Sequence, residues 1–154
     1  MSEGSAPRIP CVPDDVYAER CRVAERVCAE LRRAGLHASG RNDVRELSNG
    51  GALVQAFEEE GPGVLVEWCV SDELSRARLG LDEHNESDDD ALFAAAQRLA
   101  EIADGGETPA IMRHAARVEE LMMNTIIDIL TSAGLNAYEA NHYPYVFAIR
   151  VECP

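Results

Sequence analysis

The run DEHNESDDD, Asp82 to Asp90, gathers six carboxylates and His84 into nine residues, donor types that suit a hard cation bound through oxygen. Its spacing does not build a calcium loop, because the glycine and glutamate that an EF-hand needs at its sixth and twelfth positions are absent. The run reads instead as a solvated turn entering a helix with Ser87 as N-cap. Carboxylates in the first turn of that helix favour the positive end of its dipole. Asp82, Glu83, Asp88 and Asp89 are accordingly assigned to a partner-binding surface and not to a metal.

The thiols offer little more. Cys21 and Cys28 lie seven residues apart on one helical face, about 10.5 Å along the axis, too far for one four-coordinate ion. Cys69 and Cys153 fall near strand ends, where pairing of those strands would bring them together with His37 or His142 as a thiolate–imidazole site. An odd count of five cysteines with no CxxC pair suits reduced thiols. His37, His84, His114 and His142 read as surface histidines. No GxSxG, P-loop, GxGxxG or HExxH occurs, so no catalytic residue and no cofactor is assigned.

The aromatic residues are the better recognition candidates. In NHYPYVF, Asn141 to Phe147, Tyr143 and Tyr145 straddle Pro144 at an expected hairpin. Tyrosine gives a large contact area with a polar tip at low entropic cost. The same rings would serve equally to cover the edge of a sheet core, and Trp68, the one tryptophan, invites the same two readings.

Charge narrows the partner. The net charge is −14, and residues 58–90 alone carry 12 acids against 2 Arg, or −10. Such a field repels a phosphate backbone, whose affinity comes from Lys and Arg displacing counterions, so nucleic acid is rejected. All 14 basic residues are Arg, a bias that GC-rich bacterial codon usage produces. The N-terminal residues have no apolar h-region and no stretch reaches the length of a membrane span, so a cytoplasmic protein without membrane contact is expected.

These residues must be positioned by helices and strands. Tyr17, Cys21, Ala24, Cys28 and Leu31 recur at helical spacing between Asp14 and Ala34, with Val27 and Ala34 widening the stripe. Ile111, Ala115, Val118, Met122, Thr125 and Ile129 do so in a second helix, with Thr108 as N-cap, Pro109 at N1, and Leu121, Ile126 and Leu130 broadening the face. LRRAGLHASGRN and LTSAGLNAYEAN close the two helices 99 positions apart. A glycine takes the left-handed C′ position at each end. Val64–Val70 and Tyr145–Val151 alternate as strands, with Tyr145, Phe147, Ile149 and Val151 on one face. Ala52–Phe57 is read as an extra strand after the SNGG turn, Asp72–Leu79 as a short helix capped by Ser71, and Asp88–Ala103 as a helix with Leu92, Leu99 and Ile102 inward.

The sum is an α+β two-layer sandwich: a mostly antiparallel sheet of four or five strands with helices on one face. Residues 1–12 are expected as a flexible tail and 13–154 as one domain, with two pseudo-symmetric helix–strand–strand units, 14–70 and 108–152, joined by an acidic helical segment, 71–107. No motif identifies a family. The overall pattern resembles the acidic, dimeric secretion chaperones of mixed helix and sheet, departs from their element order at the C-terminus, and carries no function across. The expected function is a non-enzymatic protein–protein interaction module, an adaptor, chaperone or regulator, that engages a basic protein through its acidic segment and aromatic strand edge. Surplus apolar residues on the second long helix also point to a homodimer. The alternative is a small-molecule- or metal-binding protein, or a biosynthetic enzyme, with its pocket between helices and sheet.

Overall fold

The computed structural model describes residues 9–40, 45–80, 88–142 and 145–154. Helix α1 runs Asp14–Arg33, with Asp14 and Asp15 in its first turn and Arg32 and Arg33 in its last, so both ends complement its dipole. The long helix α4 runs Ala110–Ser132. Their repeated endings are the same capping device. Gly35 (φ 89°) and Gly134 (φ 80°) take the left-handed conformation. The Leu36 and Leu135 N–H groups then donate to Leu31 and Leu130 carbonyls at 2.9 Å, while Gly35 and Gly134 donate to Arg32 and Thr131 at 3.0 Å. These are Schellman motifs, and each seats its leucine in the core: Leu31 and Leu130 are both fully buried.

The chain leaves each cap into an edge strand. Five strands, β1 (Ala38–Gly40), β2 (Gly51–Ala56), β3 (Val64–Cys69), β4 (Ala137–His142) and β5 (Tyr145–Val151), form one sheet in the order β1-β2-β3-β5-β4. Three of its pairings are antiparallel, and β1 with β2 is parallel. The expected extra strand is β2. A parallel neighbour requires a crossover, and in the described part of that connection, residues 45–50, Leu47 is buried. On the way the Ser39 hydroxyl, itself buried, donates to the Glu46 carboxylate at 2.9 Å.

The two long helices meet at their last turns, where the Arg26 guanidinium donates to the Ala133 carbonyl at 3.0 Å. The groove between them is walled by Glu30 with Ile129, Arg33 with Ser132 and Ala34 with Ala133, each pair again 99 positions apart. The likeness ends at the edge strands. β1 runs parallel to β2, whereas β4 runs antiparallel to β5, so the helix–strand–strand correspondence is not carried through the sheet.

One face of the sheet packs on both helices. Ala38, Ala52, Val54, Val64, Val66, Ile149, Val151 and Ala137 meet Val23, Val27 and Leu31 of α1 and Met123, Ile126 and Leu130 of α4. The expected faces are buried in part: Val27 and Leu31 of α1 and Ala115, Ile126 and Leu130 of α4 are buried as expected, Val23 and Met123 join them, and Leu121 is exposed. On α1 the buried line is Val23, Val27 and Leu31, leaving Tyr17, Cys21, Ala24 and Cys28 half-buried on the flank. On α4, Ile111 and Thr125 are exposed, and Val118, Met122 and Ile129 are half-buried. The opposite face holds a smaller cluster of Leu65, Ala140 and Ala148 against Phe57.

Two further expectations are corrected here. Ala140 pairs with Ala148 but His142 with Tyr145, so Val146 and Phe147 of β5 face Asn141 alone. This bulge removes Phe147 from the expected single face: it adopts φ 62° and is exposed, while Ile149 and Val151 are buried. Helix α4 starts one residue later than expected, with Pro109 as its cap, and the Thr108 carbonyl accepts instead from Arg113 at 2.6 Å.

Helix α2 (Asp72–Leu79) is capped as expected, the Leu74 N–H donating to the Ser71 hydroxyl at 3.2 Å, and it packs on α4 through an Arg78–Glu119 ion pair at 2.7 Å. Helix α3 (Asp88–Ala103) has the expected bounds but not the expected packing. Of the residues placed inward by periodicity, Leu99 is 50% exposed, Ile102 is half-buried and the Leu92 side chain lies outside those described, while Phe93 is 68% exposed. Its expected cap, Ser87, lies outside the described residues. At the other terminus, the Val12 N–H donates to Glu58 at 2.8 Å and the Glu60 N–H to Pro10 at 2.9 Å, tying residues 10–12 of the expected tail to the β2–β3 connection. Among the described residues no helix is long and apolar enough to cross a membrane.

Candidate functional site

The flank of α1 that the core leaves over becomes the wall of a cleft. Tyr17, Cys21, Ala24 and Glu25 share that flank because they follow at four, three and one residues. Opposite them run Val54 to Glu59, the end of β2 and the residues after it. Gly40 closes one end, since β1 stops there and pairs with β2 no further than Val54. The resulting space is about 550 Å³.

Arg20 fixes the far wall. One of its guanidinium nitrogens donates to the Phe57 carbonyl at 2.6 Å and to the Glu59 carbonyl at 2.8 Å, holding the strand exit against α1. The guanidinium is thus spent on backbone. Glu25, Glu58 and Glu59 face the cleft and form no ion pair with an arginine among the described residues. The Tyr17 hydroxyl bonds with Cys21; that bond first, then the charge at Cys21, burial, and the charges of Glu58 and Glu59, raise the phenol above its ordinary pKa. Tyr17 therefore stays neutral at physiological pH. The cleft offers three carboxylates, a phenol and a thiol, while the Phe57 side chain packs on the opposite face of the sheet. No histidine is among the described residues that line it.

Most residues expected to form a site lie elsewhere. Trp68 is half-buried against the main core at the end of β3, on the helix side of the sheet. Tyr145 opens β5 at that same end, because β3 and β5 are antiparallel. The cleft lies at the opposite end, so neither reaches it. Tyr143, Asp82 and Glu83 lie outside the described residues, while Asp88 and Asp89 open α3. The same antiparallel pairing separates Cys69 from Cys153: Val64, not Cys69, is opposite Val151, which excludes their joint thiolate–imidazole site. Among the described residues no three His, Cys, Asp or Glu side chains gather as a metal site.

The acidic stretch 58–90 is also divided. Strand β3 runs through it, leaving Glu58, Glu59 and Glu60 at one end of the sheet and Asp72 and Glu73 at the other. Tyr17, Cys21, Glu25 and Phe57 were not foreseen as site residues. The one available signal was that Tyr17, Cys21 and Glu25 follow at intervals of four along a helix whose best apolar line lies beside them.

Comparison with protein-family models, with characterised proteins and with solved structures gives no match.

Proposed function

We propose that the protein is a non-enzymatic, cytoplasmic protein-binding module, an adaptor, chaperone or regulator, that receives a basic segment of a partner protein in the α1–β2 cleft. The observation that carries this reading is the coincidence of Glu25, Glu58 and Glu59 with Tyr17 in one cleft of about 550 Å³. Carboxylates attract a Lys or Arg head, and the Tyr17 ring takes its aliphatic stem or the face of a guanidinium.

The test is fluorescence anisotropy with a labelled Arg/Lys-rich peptide at low and high salt. Glu58→Gln with Glu59→Gln should weaken binding at least about tenfold, the loss of roughly 1.4 kcal/mol. Asp72→Asn with Glu73→Gln, the same charge change at the far end of the sheet, should not. Equal losses from both pairs would reduce the effect to net charge and sink the reading. A second reading puts a small organic cation in the same cleft, favoured by a volume within the roughly 300–1,000 Å³ of ligand pockets. Saturable binding of a free polyamine that excludes the peptide would select it.

A further inference from the structure

The backbone that carries Glu58 and Glu59 lies past the end of the sheet ladder. The last β2–β3 pair is Ala56 with Val64, followed only by a bond from the Phe57 N–H to the Gly63 carbonyl at 2.9 Å. Beyond it, two other partners hold the chain. The Phe57 and Glu59 carbonyls accept from one Arg20 nitrogen at 2.6 and 2.8 Å. The Glu58 carbonyl accepts from the Val12 N–H at 2.8 Å and the Glu60 N–H donates to the Pro10 carbonyl at 2.9 Å, about an antiparallel bridge of Cys11 with Glu59.

These bonds alternate along the chain, as the ladder of β2 does before them. On the β1 side Ala52 bonds to His37, and Glu58 and Glu60 continue that even-numbered edge to residues 10–12. On the β3 side Phe57 bonds to Gly63, and the Phe57 and Glu59 carbonyls continue that odd-numbered edge to Arg20. Residues 10–12 thus stand in for β1, and the Arg20 guanidinium for β3. Between them they set Glu58 and Glu59, two of the three carboxylates that line the cleft.

We propose that residues 10–12 are a strap that governs the affinity of the cleft: paired, it presents Glu58 and Glu59 to a basic ligand, and released, it lets them disperse. This rests on the reading of the cleft as a site for a basic segment. Carboxylates already held in place have less freedom to lose when the ligand arrives, so the strapped wall binds more tightly. Linkage makes the effect reciprocal, and a bound basic segment must strengthen the strap. Arg20 works from the other edge as a positioning residue. It is also a cation beside the cleft, so charge alone would make its removal tighten the binding of a basic peptide, whereas loss of positioning weakens it. The two accounts differ in sign.

Fluorescence anisotropy of a labelled Arg/Lys-rich peptide, with hydrogen exchange of the Glu60 amide, tests this on the full chain. Val12→Pro deletes the N–H that bonds Glu58 and keeps Cys11 extended, while Val12→Ala trims the side chain and keeps the bond. Val12→Pro should weaken peptide binding about fivefold, the worth of one hydrogen bond, and speed Glu60 exchange. Val12→Ala should do neither. Arg20→Met should also weaken binding about fivefold although it makes the chain more negative, and Arg20→Lys, with donors for both carbonyls, should recover most of the loss. Saturating peptide should slow Glu60 exchange in the unaltered chain. Equal affinity for Val12→Pro and Val12→Ala, or a tighter complex with Arg20→Met, overturns the proposal. Should circular dichroism show Arg20→Met unfolded, the Val12 pair decides alone. Glu60 exchange separates failure of the strap from failure of the cleft. Unchanged exchange in Val12→Pro means that the strap does not hold the wall, which overturns the proposal, whereas faster exchange with no peptide bound by any variant overturns the cleft reading and the control assigned to the strap with it.

Discussion

Gly35, Gly134 and Gly40 separate backbone conformation from packing. An added Cβ meets nothing within 4 Å at any of the three, so Ala substitution brings no clash. Only φ differs: Gly35 has +89° and Gly134 +80°, while Gly40 sits in strand β1 without a positive φ. Placing an L-residue in the left-handed region costs about 1–2 kcal/mol. Against that, Ala restricts the unfolded chain and returns about 0.4–1 kcal/mol wherever the native backbone suits it. Gly35→Ala and Gly134→Ala should therefore each destabilise by about 1 kcal/mol, and Gly40→Ala should stabilise by about 0.4–1 kcal/mol. Asn in place of Gly35 should recover part of the loss, since Asn tolerates the left-handed region. Urea unfolding reads the comparison directly. With slopes of roughly 1–3 kcal/mol/M, the capping and strand variants should differ in midpoint by several tenths of a molar or more at unchanged slope. Equal midpoints for Gly35→Ala and Gly40→Ala would refute the assignment of the repeated stretch to left-handed caps.

Phe147 offers the converse experiment, because an aromatic residue holds φ 62° in the β5 bulge. Phe147→Gly should be more stable than Phe147→Ala by about 1–2 kcal/mol, and the opposite order would mean the bulge relaxes when the ring is lost. The thiols should divide by burial. Burial raises the Cys28 and Cys69 pKa values, with the nearby acids Glu25 and, for Cys69, Glu67 and Glu119 adding to it, while Arg32 partly offsets the shift at Cys28. A raised pKa means less thiolate at a given pH, so their alkylation should reach half-maximal rate at a higher pH than a free thiol's value of about 8.5. Alkylation of Cys28 or Cys69 as rapid at pH 7.5 as that of the exposed Cys11 would contradict their burial.

What could be read from the sequence was what is decided locally. A Schellman cap is settled within six residues, so LRRAGL and LTSAGL announce it, and Ser71 announces α2 by the same short-range chemistry. The core lines of the long helices were harder. The apolar repeat Ile111 to Ile129 contributes Ala115 to the buried face, and the broadening residues Ile126 and Leu130 are buried too, but Met123 is added and Leu121 left exposed by the position of the sheet beneath α4 rather than by the helix itself. The bulge at Phe147 and the parallel sense of β1 are likewise decided between strands. The cleft was least visible of all, because it exists only when Arg20 draws the Phe57 and Glu59 carbonyls onto α1, across a sequence separation of 37 and 39 residues.

The same folding changes what the acidic charge can do. In the sequence, −10 is packed into residues 58–90 and reads as one field. Strand β3, Val64–Cys69, then drives through the middle of it. Six residues of strand span about 20 Å, roughly twice the Debye length at physiological ionic strength. Glu58 and Glu59 are thus screened from Asp72 and Glu73 and act on a ligand separately from them. A basic segment held in the cleft draws on Glu25, brought in from α1, more than on the acids that follow β3 in the chain. Proximity in the fold, not in the sequence, decides which carboxylates share a partner. The loss of affinity on removing Glu25 should accordingly rival that on removing Glu58, although the two are 33 positions apart and only Glu58 belongs to the acidic segment. A peptide affinity indifferent to Glu25→Gln would place the binding surface on the β2–β3 connection alone and leave the cleft unused.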